Sequence, residues 1–285
     1  MKIIDIIHEK DTTLSFEVFP PKTSDRLETV SEATSKIAAL HPDFMSVTYG
    51  AGGGTSKYTI EIAEKLQESE GVPMLAHLTC VSSDRAHVRE MIQLYRAHGI
   101  KNIMALRGDI PEGGRIAQDY HYAIELIEDI RSLGDFCIGG ACYPEGHPES
   151  GSRRQDMIFL KQKVDAGLDF ITSQMFFNND VFYSFLYRAR DIGVNVPILA
   201  GIMPIINARQ IKRSIALSGT EFPERFRAIT DCFGSGDDAM RQAGIIYAAE
   251  QIIDLLAHGV KNIHVYSMNR PDVAQGIRNA LSQIL

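Results

Sequence analysis

Cysteine is scarce. The four in 285 residues, Cys80, Cys137, Cys142 and Cys232, form no C-x-x-C pair and no zinc-ligand spacing. That argues against a disulfide scaffold and leaves the chain without a recognisable metal site. Cys80, Cys137 and Cys142 lie in apolar, strand-like runs, where cysteine behaves as a small buried hydrophobe. All four are expected to be structural thiols in a reducing compartment. Long apolar runs are also missing. The longest uncharged one, around Pro197 to Ile206, contains Gly201 and Pro204. It is about half the ~20 residues a membrane span needs. The first nine residues put Asp5 inside their only apolar run, which is unlike a secretory signal, so a cytoplasmic location is expected, with no membrane partner. There is no basic block, and 36 acidic against 29 basic residues leave a formal charge of −7, so no nucleic-acid partner is expected. With 45% hydrophobic residues the chain is not disordered. No proline- or serine-rich linker and no low-complexity tract interrupts it, so residues 1–285 are expected to be one domain.

What is present is alternation. Strand-like runs recur at Leu14–Phe19, Phe44–Tyr49, Met74–Cys80, Ile103–Gly108, Phe136–Tyr143, Phe170–Phe176, Ile198–Met203 and Ile263–Met268. Between them the period becomes helical. Val88, Met91, Ile92 and Tyr95 recur at i, i+3, i+4 and i+7. Ile245, Ala249, Ile252, Ile253 and Leu256 do likewise, with Glu250, Gln251 and Asp254 on the other side. Gly71, Gly99, Gly134, Gly167, Gly193 and Gly259 close helices just before the next strand, and Ser24-Asp25, Ser83-Asp84 and Asn179-Asp180 mark helix starts. Strand then helix, repeated to eight strands in a chain this long, predicts an α/β fold of the (β/α)8 TIM-barrel type, for which ~250 residues is usual. The long interval from Met203 to Ile263 leaves room for extra helices between strands seven and eight. A doubly wound open sheet is the rival, but the chain carries no nucleotide fingerprint.

In such a barrel the active site lies at the C-terminal ends of the strands. Those ends are polar here where the strand bodies are not: Glu17, Thr48-Tyr49-Gly50, His77 and Thr79, Arg107-Gly108-Asp109, Tyr143-Pro144-Glu145 with His147, Gln174, and Tyr266-Ser267-Met268-Asn269-Arg270. Each has a bland reading as a satisfied core or surface group; the cluster is the stronger signal, because buried polar groups need partners. The segment from Gly50 to Ser56 is neither G-x-G-x-x-G nor a phosphate loop, but its glycines let backbone approach a ligand. The tyrosines and Phe176-Phe177 suit a flat conjugated ligand. These residues do not by themselves name a reaction.

The motifs Phe16-Glu17-Val18-Phe19-Pro20-Pro21-Lys22, Ser46-Val47-Thr48-Tyr49-Gly50-Ala51, Ala76-His77-Leu78-Thr79-Cys80 and Ala105-Leu106-Arg107-Gly108-Asp109 occur in that order. Tyr143-Pro144-Glu145-Gly146-His147-Pro148-Glu149, Lys163-Val164-Asp165-Ala166-Gly167 and Tyr266-Ser267-Met268-Asn269-Arg270 follow. Together they resemble the methylenetetrahydrofolate reductase family over nearly the whole chain. The resemblance implies a flavoprotein in which a reduced nicotinamide and then 5,10-methylenetetrahydrofolate react at FAD by a ping-pong scheme, giving 5-methyltetrahydrofolate for methionine synthesis. Position by position it makes Glu17 the general acid and Asp109 a carboxylate beside flavin and pterin. Thr48 and Gln174 match nicotinamide or folate contacts, and Gln210 and Arg270 match folate contacts. Tyr49, Ala51, His77, Arg107, Gly108, Asp109, Ala123, Tyr143, His147, Asp156 and Lys163 match FAD contacts. It leaves open NADH, NADPH or a partner redox subunit as electron donor, and it implies a homo-oligomer.

The chain also departs from the family pattern. Asn207 to Ser214 holds no aromatic residue of the kind some bacterial members stack on substrate. Phe159-Leu160-Lys161-Gln162-Lys163 lacks an arginine and an asparagine that some members use near the FAD. With the sequence ending at Leu285, inhibition by adenosylmethionine is not expected. Two other readings stand beside this one. One is a flavin-dependent barrel oxidoreductase acting on an amino acid such as proline. The other is a noncatalytic folate-binding or scaffold subunit, which an intact Glu17 and Asp109 disfavour.

Overall fold

The structure, a computed structural model, describes residues 1–50, 55–110, 119–207, 209–211 and 219–285. Ala51 therefore lies outside the described residues. The strands are β1 (Thr13–Val18), β2 (Phe44–Val47), β3 (Met74–Thr79), β4 (Asn102–Leu106), β5 (Cys137–Cys142), β6 (Phe170–Ser173), β7 (Ile198–Ile202) and β8 (Asn262–Tyr266). They pair in sequence order, all parallel, and β8 returns to β1 to close the barrel. The (β/α)8 expectation is met.

Strand alternation divides each strand between two environments. On β1, Leu14, Phe16 and Val18 join the outer core with helix residues such as Ile37, Ala63 and Ile92. Ser15 and Glu17 take the opposite, inward face. The N-terminal end of the barrel is stoppered by α1 (Ile3–Glu9): its Ile3 and Ile7 pack on Phe44, Leu75, Met104, Cys137, Phe170 and Leu199. That end is apolar and closed, so polar chemistry is confined to the other mouth.

Among the described residues the further α-helices include α2 (Leu27–Ala38), α3 (Ser56–Glu70), α4 (Arg85–Ala97), α5 (Ala123–Leu133), α6 (Arg153–Asp165), α7 (Asn179–Asp191), α8 (Glu224–Phe233), α9 (Asp237–Ala257) and α10 (Pro271–Ala280). Two of them, α8 and α9, fill the long interval between β7 and β8. They build a second small core at the mouth, in which Phe177, Phe222, Phe226 and Tyr247 pack with Met175 and Met240. No helix among the described residues is long and apolar enough to cross a membrane.

Several local expectations shift. All eight predicted strands run one to three residues too far at their C-terminal ends, because the residues there leave the ladder to form the mouth. On α4 the buried face is Val88, Met91, Ile92 and Tyr95, as the spacing requires. On α9 the buried face is rotated: Ile253 is exposed, while Gln251 is buried with its amide donating to the Phe176 carbonyl at 3.1 Å. Gly71 ends α3 in the left-handed region at φ 67°, but Gly134 follows α5 in extended backbone at φ 169°. Asp84 caps α4 by accepting from the His87 amide at 2.8 Å; at α7 the cap is Asn178, one residue ahead of the expected pair.

Candidate active site

Glu17 is buried at the inner end of β1, 7% exposed. Barrel closure surrounds its carboxylate with groups from three strands. Ser46 on β2 donates toward Oε2 at 3.4 Å, His77 on β3 brings Nε2 to 3.4 Å, and His264 on β8 brings Nε2 to 3.8 Å. Behind them Ser15 Oγ lies 2.7 Å from His264 Nδ1 and donates to the Ile263 carbonyl at 3.0 Å. A hydroxyl has one proton, so Ser15 must accept from Nδ1–H. In the neutral ring that leaves His264 Nε2 as an acceptor, facing Ser46 Oγ at 3.3 Å. The Ser46 hydroxyl therefore stands between two acceptors, Glu17 and His264, and can serve either. Phe44 stacks beneath the His264 ring at 6.0 Å and fixes its plane.

None of Ser15, Ser46 and His264 was singled out by sequence reasoning. The signal was the period of two: Ser15 shares an inward face with Glu17, Ser46 with Thr48, and His264 with Tyr266. Tyr266 itself reaches across β7 to donate to the Ser173 carbonyl at 2.7 Å, passing over Gly201. Burial and, behind it, the nearby Glu17 carboxylate push its phenol well above the usual range.

His77 Nε2 is buried without a hydrogen bond; its approach to Glu17 is close enough for an ion pair but out of line. Burial holds the imidazole below its ordinary range, against the pull of Glu17, and His264 adds to the lowering. An imidazole in the unfolded chain titrates near ~6.5. Protons then favour the unfolded chain as pH falls below about 6.5, whereas above it this contribution to stability is complete. The urea midpoint is expected to drop between about pH 6.5 and the lower folded value, and His77→Gln should flatten that limb. His147, also held low by burial, retains part of the slope. An acid limb unchanged in His77→Gln would contradict the assignment.

The rim groups with the expected FAD contacts form a second cluster. Arg107, just past β4, makes a two-pronged bridge to Glu149 at 2.6 and 2.7 Å. Gly108 follows at φ 86°, where a Cβ would lie 2.9 Å from Thr79. Tyr143 and His147 meet edge to face with centroids 4.5 Å apart. Burial, then the charges of Asp109 and Asp156, push the Tyr143 phenol up to about 12. On α6, Lys163 Nζ donates to the Ala141 carbonyl at 2.7 Å and burial lowers its pKa. Asp156 accepts from Ser150 Oγ at 3.1 Å. Asp109 is exposed at the rim. Ala123 opens α5, half-buried. Tyr49 is buried and points its hydroxyl at His87 Nε2, 3.3 Å away, so it contributes packing more than a free polar group.

The expected substrate contacts are half-buried around the same mouth. Thr48 follows β2, its carbonyl accepting from Thr59 Oγ1 at 2.9 Å. Gln174 follows β6, with Oε1 accepting from the Met175 amide at 2.9 Å. Gln210 accepts from the Ile206 amide at 2.8 Å, and Arg270 pairs with Asp272 at 2.7 Å. Phe176 and Phe177 are not ligand faces. Both are buried: Phe176 stacks on Phe182 of α7 at 4.6 Å, and Phe177 on Phe222, just ahead of α8, at 4.2 Å.

A family profile described as Methylenetetrahydrofolate reductase matches residues 2–282. The 5,10-methylenetetrahydrofolate reductase of Pectobacterium carotovorum subsp. carotovorum is 36% identical over 269 residues, covering 94% of this chain and 89% of that protein. Methylenetetrahydrofolate reductase (NADH) 1 of Arabidopsis thaliana is 36% identical over 296 residues, covering 97% of this chain and 50% of that protein. The chain thus spans half the length of that plant relative. Among solved structures, an uncharacterized protein from Clostridium thermocellum that binds two copies of 5-methyl-5,6,7,8-tetrahydrofolic acid superposes with a TM-score of 0.70 at 14% identity, covering 99% of each chain. At that identity the likeness speaks for the fold alone.

Proposed function

The chain belongs to the methylenetetrahydrofolate reductase family, and from that premise we propose that it reduces 5,10-methylenetetrahydrofolate to 5-methyltetrahydrofolate with a reduced nicotinamide, through FAD, in the cytoplasm. The observation that carries the reading is the buried Glu17, held among Ser46, His77 and His264 at the base of a polar mouth.

The residues present suit a flavin dinucleotide. His77 Nε2 and Thr172 Oγ1 are buried polar atoms without partners. Arg107, Lys163 and His147 supply cationic or donor groups for a diphosphate, while Gly108 lets the chain pass close to a ligand. When bound, FAD supplies a two-electron carrier that accepts hydride from one substrate and gives it to the next.

The chain's own residues supply the proton chemistry. The closed imidazolidine ring of the folate is a poor hydride acceptor, and protonation at nitrogen opens it to an iminium cation. Glu17 gives that proton from a site almost closed to water. Ser46 holds its carboxylate in place by donating toward Oε2, and His264 in turn fixes the Ser46 hydroxyl. Asp109 stabilises the cation and accepts pterin N–H bonds. Gln174, Gln210 and Arg270 orient the folate, and Thr48 meets folate or nicotinamide. The plant relative's name carries NADH; NADH is the donor proposed here, NADPH or a redox partner being the alternatives. We also take residues 1–285 as one catalytic unit that self-associates.

Purified protein is expected to be yellow and to release FAD on acid extraction. Colourless protein that cannot be reconstituted with FAD would contradict the proposal.

A further inference from the structure

Tyr122 and Phe159 form an exposed aromatic pair. Their rings lie nearly parallel, 23° apart in plane with centroids 6.2 Å apart. They are 60% and 40% exposed. Single exposed aromatics need no explanation, but a stacked pair leaves a flat apolar surface in water. Its place in the fold is specific. Tyr122 immediately precedes α5, where Glu125 Oε2 accepts from its amide at 2.8 Å, and Cys80, just past β3, brings Sγ to 3.9 Å from its carbonyl. The start of α5 is thereby held at the catalytic end of the barrel.

Phe159 lies on α6 at i+3 from Asp156 and i−4 from Lys163, which puts the three on one helix face. That face looks to the rim: Lys163 reaches the Ala141 carbonyl at the end of β5, and Asp156 takes the Ser150 hydroxyl. Lys163 and His147 thus lie beside the end of β5, at the mouth that holds Glu17, and the aromatic pair stands on the flanking α5 and α6 segments.

Resting on the flavin reading above, we infer that Tyr122 and Phe159 form the binding surface for the adenine ring of FAD. The reactive ring of a flavin has to lie near Glu17, where hydride and proton meet. A dinucleotide is long, so its diphosphate falls on the cationic groups of the rim and its far end extends over α5 and α6. A flat, neutral heteroaromatic ring is what stacks on such a surface.

FMN tests this, because it ends at the phosphate and carries no adenine. Flavin-stripped full-length protein is titrated with FAD and with FMN, following flavin fluorescence. Phe159→Ala should weaken FAD by roughly 5- to 100-fold, the range for loss of one base–aromatic stack, and leave FMN affinity unchanged. Phe159→Tyr, which keeps the ring, should restore FAD binding. Equal losses for FAD and FMN, or an unaltered FAD affinity in Phe159→Ala, would overturn the inference while leaving the flavin reading intact. Wild-type protein that binds neither FAD nor FMN would overturn both.

Discussion

In Glu17→Gln, reduction of flavin by nicotinamide is expected at nearly the normal rate, while reduction of methylenetetrahydrofolate falls by about 10²–10⁴. Glutamine keeps the length of the side chain and can still take the Ser46 hydroxyl, which approaches Oε2 at 3.4 Å. It cannot supply a proton to a folate nitrogen. Hydride transfer from nicotinamide needs orientation only, so the first half-reaction has no use for that proton. A Glu17 that merely held β1, β2, β3 and β8 together would give a different pattern, with both half-reactions impaired alike or neither. Rapid mixing under anaerobic conditions measures each separately, and equal losses in the two would refute the assignment.

The second large effect is structural. Gly201 lies beneath the reach of Tyr266 to β6. A Cβ there would come within 2.1 Å of the Ser173 carbonyl oxygen and 2.7 Å of the Tyr266 hydroxyl. The first contact is backbone and cannot swing away. The Gly201 amide is also held by Ser173 Oγ at 2.9 Å, so β7 cannot shift without losing that bond. Gly201→Ala is expected to cost about 1–3 kcal/mol or more, a fall in melting temperature of roughly 3–10 °C for a chain of this size. Tyr266 would lose its carbonyl partner next to Glu17, so folate reduction should suffer beyond the loss of folded protein. Thermal unfolding with an unchanged midpoint would show that the β6–β8 bridge is not as tight as described.

The barrel was legible because parallel strands buried on both faces and amphipathic helices leave different periods in the sequence. Strand ends were less so. Thr48, Arg107, Tyr143 and Gln174 each extend an apolar run in sequence, yet each lies beyond the last residue of its strand. Composition does not record where a ladder stops. Glu17 stood out as a charge between aromatics. Ser15, Ser46 and His264 did not, since one serine or histidine in a strand has many harmless explanations. Their meaning comes from closure: β8 lies beside β1, so His264 meets Ser15 across 249 positions of sequence. Phe176 and Phe177 misled for the opposite reason. The helices that bury them come later in the chain, and a ligand face and a core face have the same composition. The rotated face of α9 follows similarly from tertiary contacts, since Gln251 and Tyr247 are drawn inward by the Phe176 and Phe177 carbonyls.

Reoxidation of the flavin by the folate tests the central claim most directly. FAD-loaded protein, reduced anaerobically and freed of nicotinamide, is mixed with 5,10-methylenetetrahydrofolate, and flavin absorbance and folate product are followed together. The account predicts that the oxidised flavin spectrum returns as 5-methyltetrahydrofolate appears, one product for each flavin. Flavin that stays reduced in the presence of the folate, with no methyl product formed, would contradict it.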